Sequence, residues 1–207
     1  MSESANNLTD GRLLARNTLY SLVGQAIPVF AAIFSIPILI NALGAEGFGV
    51  LTLAWMITGY FGLLDLGVGR ALTKLLSEKL GQDDLEGIPD LIWTALILTV
   101  LMGLFGALLI SLASSTIVHD LFKIPLALQD DVEKSFYILA ICVPLVIGSS
   151  ALSGILQAYQ RFDLVNIVRV PIGSLTFLGP ILVLPFSEKL SHIVAMLLLV
   201  RLLEWVI

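Results

Sequence analysis

The sequence predicts an all-α membrane protein with six transmembrane helices, and three observations carry that expectation. Of 207 residues, 57% are hydrophobic and 13% are charged. That charged share is about half the roughly 25% usual in soluble domains. Mean hydropathy is +0.99, and the apolar residues fall into six runs that approach the roughly 20 residues a spanning helix needs. A soluble chain of this length could bury one core, but it would need a polar surface to cover it. The charges for that surface are missing, so lipid is the alternative solvent.

The first span is read over 13–43. Its apolar part, about 30 residues, is far longer than the 7–15 of a cleaved signal peptide. It is therefore read as permanent, with the polar tail 1–12 outside the bilayer. After the connector "GAEG" the second span runs over 48–76. "SEKLGQDDLEGIPD" leads to the third, 91–115, and "TIVHDLFKIPLALQDDVEK" to the fourth, 136–156. "QAYQRFD" precedes the fifth, 167–186, and "SEK" the sixth, 190–207. No soluble domain and no low-complexity segment interrupts 1–207. The single cysteine, Cys142, excludes an internal disulfide and a CxxC metal knuckle. Net charge is −5, without the basic block that would suggest nucleic acid.

Orientation is read from Lys and Arg in the connectors. With the N-terminus inside, Arg12, Arg16, Arg70, Lys74, Lys79, Arg161 and Arg169 fall inside, and Lys123, Lys134 and Lys189 fall outside. The N-terminus is therefore expected in the cytoplasm.

Asp65 stands out because it ends an uncharged run from Phe48 to Leu64. If the second helix continues towards Leu80, Thr58, Gly62, Asp65, Gly69 and Thr73 fall within about 80° of one another. The first helix carries a comparable stripe in Asn17, Ser21, Gln25, Pro28, Ala32 and Ser35. The third has Ala95, Thr99, Gly103, Ala107 and Ser111, and the fourth has Ser149 with Ser153 and Ser150 with Gly154. In the third and fourth helices, small residues read mainly as helix packing. In the first two, Asn17, Gln25 and Asp65 are costly in lipid and read as candidates for a polar cavity. Asp65 also has a plainer reading, as structure near the inner interface. Arg16 or Arg169, both at inner ends, is its expected cross-helix partner, and with Arg70 and Arg161 these form a candidate inner gate or interface.

Arg201 lies eleven residues past Leu190, about 16 Å into the membrane. Two readings stay open. It forms a self-contained i,i+3 pair with Glu204, or it faces an aqueous lumen with its fork available to a phosphate or carboxylate. Six prolines, at positions 28, 37, 144, 171, 180 and 185, lie in or at the ends of spans and imply bent helices.

The stretch "INALGAEGFGVLTLAWMITGYFGLLDLGVGRALTK", Ile40 to Lys74, resembles the start of the oligosaccharide flippases, or polysaccharide biosynthesis membrane proteins. "LQAYQRFDLVN" at 156–166 is similar to the family's connector between the fourth and fifth helices. The resemblance implies the multidrug/oligosaccharidyl-lipid/polysaccharide exporter superfamily, whose members have two six-helix lobes around a central cavity. It implies alternating-access export of polyprenyl-pyrophosphate-linked oligosaccharides across the inner membrane. The implied partners are the lipid-linked oligosaccharide, membrane lipids and other polysaccharide-assembly proteins, with no cofactor. Since the chain stops inside its sixth span, 1–207 is expected to be an N-terminal lobe, apparently truncated.

Two rivals accompany that reading. A multidrug/cation antiporter of the same superfamily would favour carboxylates deep in the first helix, which has none. A glycan-assembly enzyme, a polymerase or glycosyltransferase, would use His119, Asp120, Asp130 and Asp131 in the outer loop. The plainer reading of "LQDDVEK" is a solvated helix start whose acids suit the dipole. No phosphate loop, zinc spacing or nucleophile elbow is present.

Overall fold

The computed structural model describes residues 11–63, 67–121 and 124–206, and the regular structure among them is helical throughout. Helix α1 spans Gly11–Leu63 and is broken at Gly44, whose φ of 68° and ψ of 177° are non-helical. That backbone region is open essentially to glycine alone, so Gly44 performs the turn that the sequence assigned to all of "GAEG". The arm before Gly44 runs parallel to α5 (Phe162–Val183): Gly24 meets Asn166, and Pro28 meets Gly173. The arm after it runs back along the same helix, with Trp55 against Phe177 at 5.0 Å and Thr58 facing Ile172 and Gly173 across a cavity. The chain therefore reverses at Gly44, and α1 supplies two crossings.

A single helix from Phe48 past Leu64 towards Leu80 is not what forms. Helix α1 ends at Leu63, and α2, Val68–Gly81, starts after Gly67 in the left-handed region at φ 80°. The periodicity that joined Thr58 to Gly69 and Thr73 is thus cut, and Asp65 lies outside the described residues. Helix α3 covers Ile88–Thr116 and passes into a π-helical turn at Ile117–Leu121. Then come α4 (Leu126–Ala158), α5 and α6 (Leu190–Val206).

Among the described residues, four stretches are long and apolar enough to cross a membrane: Gly24–Tyr60, Ile88–His119, Leu128–Ala158 and Phe162–Val183. The first contains both arms of α1. Helix α6, with 17 residues, is about 26 Å long, close to the hydrocarbon thickness. The sidedness of α3 shows which solvent it meets. Ala95, Thr99, Gly103 and Gly106 are buried, while Trp93, Phe105 and Leu112 are exposed. Small and polar residues inside with large apolar ones outside is the pattern of a helix packed in lipid.

Helix α4 is the hub, packed against α1, α2, α3, α5 and α6. The main core fills the Gly44 end of the bundle, where Leu39, Leu51, Phe136, Val143, Ile193 and Leu197 are sealed together. Two smaller clusters lie at the other end, one joining Leu72 of α2 to Ala95 and Ala151 and one joining Leu76 to Ile88 and Ala158. There the connector is clasped by Lys79, whose Nζ lies 2.5 Å from Asp84 and holds that carboxyl below the usual carboxylate range.

Most intramembrane hydroxyls are satisfied within their own helices. Ser35 donates to the Ala31 carbonyl, Thr58 to Ala54, Ser111 to Ala107 and Thr176 to Ile172. This i−4 bonding removes much of the cost of a hydroxyl in lipid. Packing accounts for the rest of the third stripe, since Gly103 lets the Pro144 backbone of α4 come into contact.

The acidic pair at the start of α4 departs from the solvated reading. Asp130 does face solvent and pairs with Lys134 at 2.6 Å. Asp131 instead reaches α6, accepting the Leu190 amide at 2.6 Å, the Ser191 amide at 3.3 Å and the Ser191 hydroxyl. It caps a helix 60 residues away, where a carboxylate also suits the dipole. Asp131→Ala is expected to destabilise the protein by about 1–2 kcal/mol, while Asp130→Ala leaves it nearly unchanged because its pair is exposed. Thermal melts of the two purified variants check the difference, and equal melting temperatures would remove the capping role.

Candidate functional site: a cavity between α1, α4, α5 and α6

Below the main core the α4 surface changes character. Ile147 is the last residue of the main core on α4. The following turns present Ser149, Ser150, Ser153 and Gln157 to a cavity of about 640 Å³. Helix α6 changes in parallel: after Leu197 and Val200 come Arg201, Glu204 and Trp205, all on the cavity wall. Helix α5 contributes Arg169 and Thr176, and the second arm of α1 contributes Thr58 and Gly59. The cavity therefore sits in the half of the bundle away from Gly44.

Arg201 and Glu204 form the pair that their spacing suggests, with Nη1 donating to Oε2 at 2.9 Å. Their side chains are 19% and 15% exposed. Both also line the cavity, so the pairing does not remove them from its wall. Arg169 lies about 10 Å into α5 and is exposed. Among the described residues the lining thus holds two guanidinium groups and one carboxylate, a net charge of +1. Trp205 is fixed by its indole Nε1, which donates to the Leu145 carbonyl at 3.0 Å. Gly148 makes room for the ring, since a Cβ there would lie 2.5 Å from it.

The other candidates lie elsewhere. Gln25 is on the exposed side of the first arm of α1 and does not line this cavity. Arg16 and Asn17 fall within α1, with side chains outside the described residues. Arg70 is exposed near the start of α2. Arg161 precedes α5 and grips Asp163 through Nε at 3.1 Å and Nη2 at 3.2 Å. The structure brings together Arg169 and Arg201, and leaves Arg70 and Arg161 outside the lining.

The small residues of α4 divide between the two roles. Gly154 packs on α2, where Thr73 Oγ1 donates to its carbonyl at 3.0 Å and the Gly69 carbonyl lies close. Ser149, Ser150 and Ser153 line the cavity instead. Trp205 and Gln157 were not singled out in the sequence. Trp205 was within reach, because it lies four residues after Arg201 and so shares its face.

The outer-loop residues of the enzyme reading are dispersed. His119 bonds the Ser115 carbonyl at 2.9 Å, Asp130 holds Lys134, Asp131 caps α6, and the Asp120 side chain lies outside the described residues. Among the described residues no three His, Cys, Asp or Glu side chains gather as a metal set.

Comparison with known proteins places this arrangement. The chain is 35% identical over 192 residues to a candidate O-antigen transporter of Shigella flexneri, covering 92% of this chain and 45% of that protein. Among solved structures it is similar to a MOP superfamily transporter from Pyrococcus furiosus, at TM-score 0.76 and 17% identity. It is also similar to an outward-facing multidrug resistance MATE family transporter, at TM-score 0.72 and 17% identity. Each structural match covers 94% of this chain and 43% of the other, so the chain spans less than half the length of these relatives. The MatE family pattern matches residues 21–182, more than half of the chain, and the chain therefore belongs to the MatE family.

Proposed function

We propose that the protein exports polyprenyl-pyrophosphate-linked oligosaccharides across the inner membrane for surface polysaccharide assembly, and that the cavity receives the anionic head of that carrier. The observation carrying this reading is the joint presence of Arg169 and Arg201 on one wall system, with hydroxyls from α4 beside them. Guanidinium forks meet phosphate oxygens in pairs, which a point charge does not do. Serine and glutamine side chains supply donors and acceptors suited to sugar hydroxyls. The similarity to a candidate O-antigen transporter supports the same cargo class.

The second reading, a multidrug/cation antiporter, is favoured by the fold of one structural relative. Against it, the carboxylate of the described lining is already engaged by Arg201, and that lining is net positive. The test is complementation. Cells lacking their own exporter should regain surface glycan with the full-length protein and lose it with Arg169→Gln. Restored resistance to a cationic drug with no surface glycan would favour the antiporter.

We further propose that the N-terminus and the Gln82 end of the bundle are cytoplasmic, as the distribution of Lys and Arg suggests. Gln82 and Glu188 are exposed at opposite ends. In intact cells an impermeant thiol reagent should label Glu188→Cys and spare Gln82→Cys, and the reverse pattern would invert the topology.

A further inference from the structure

Arg201 and Glu204 are held together in a place where an anionic ligand would need the arginine. We infer that Glu204 is an internal competitor for Arg201: it holds the guanidinium while the cavity is empty, yields it to an anionic headgroup, and takes it back so that the headgroup can leave. This rests on the anionic-ligand reading above.

Three features support it. Glu204 Oε2 occupies one donor of the fork, Nη1, at 2.9 Å. A phosphate oxygen approaching that donor would meet the carboxylate at like charge, so tight binding by both arginines requires Glu204 to give way. Both partners line the cavity and are mostly buried, so an Arg201 without a counter-charge would be an expensive desolvated cation whenever the cavity is empty. Arg169 is the other cation of the described lining, and Glu204 is its one carboxylate. With Glu204 the lining carries +1, and without its charge it carries +2, which matches the two negative charges of a pyrophosphate diester. A carrier must bind its cargo well enough to load and weakly enough to release it. Glu204 therefore weakens binding in the interest of release.

The test uses the purified full-length protein titrated with inorganic pyrophosphate in a calorimeter at low ionic strength, together with glycan export in cells. Glu204→Gln keeps the shape and a hydrogen-bond acceptor but removes the charge. It is expected to bind pyrophosphate about tenfold more tightly, within the usual range of coupling between neighbouring sites, while export falls. Glu204→Asp keeps the charge and should not show the tightening seen in Glu204→Gln, and melting curves of both variants report on folding. A glutamate with only a structural role predicts the opposite: weaker or unchanged binding in Glu204→Gln. If that is seen while Arg201→Gln abolishes binding, the competitor role is overturned and the anion site stands. If neither the unaltered protein nor Glu204→Gln binds pyrophosphate, the anion site itself is overturned, and the competitor role with it.

Discussion

Arg201→Ala is expected to lower both the membrane abundance of the full-length protein and its glycan export. Removing the guanidinium leaves Glu204 mostly buried without its partner. Breaking a buried pair from one side costs about 3–5 kcal/mol, and the low end applies here because the side chains keep 19% and 15% of their exposure. Glu204→Ala strands the arginine in the same way. The double variant removes both charges, so abundance should recover towards normal. Export separates structure from function: if Arg201 serves only the pair, export recovers along with abundance. If Arg201 holds the anionic head, the double variant is abundant and inactive, and that is the result expected here.

The second large effect is expected at Gly103. Helices α3 and α4 form the most extensive contact in the bundle, and a Cβ at Gly103 would strike the backbone of Pro144. Backbone cannot rotate out of the way as a flexible side chain can. Gly103→Ala should therefore cost about 1–3 kcal/mol through overpacking, and Gly103→Leu more. Gly49 gives the control. It lies in a helix with nothing within 4 Å of its would-be Cβ, so Gly49→Ala should be neutral or mildly stabilising. Detergent melting curves that coincide for Gly103→Ala and Gly49→Ala would contradict the close α3–α4 approach.

What the sequence revealed followed from forces that act along the chain. Long apolar runs marked the crossings, because the bilayer sets their length. The Arg201–Glu204 pair was readable from a spacing of three. Gly67 was harder. A glycine in a lipid helix is ordinary, and the period ran smoothly through it, so a left-handed break at φ 80° left no trace in the pattern. Contacts between distant segments were hidden as well. Nothing near Asp131 in the chain indicates that it caps α6, and nothing near Arg169 indicates that it shares a cavity with Arg201. Spacing gives the face of a helix but not its neighbour. The small residues of α4 show the same limit: Gly154 packs and Ser150 lines the cavity, although the two form one pair four residues apart.

The most direct measurement is translocation of a fluorescent, short-chain polyprenyl-pyrophosphate oligosaccharide by the full-length protein in sealed vesicles, beside uptake of a hydrophobic organic cation. The account predicts that the lipid-linked sugar crosses, that its crossing is lost in Arg169→Gln and Arg201→Gln variants of normal abundance, and that the cation is not carried. Cation uptake without movement of the lipid-linked sugar, or sugar translocation indifferent to both arginines, would contradict it.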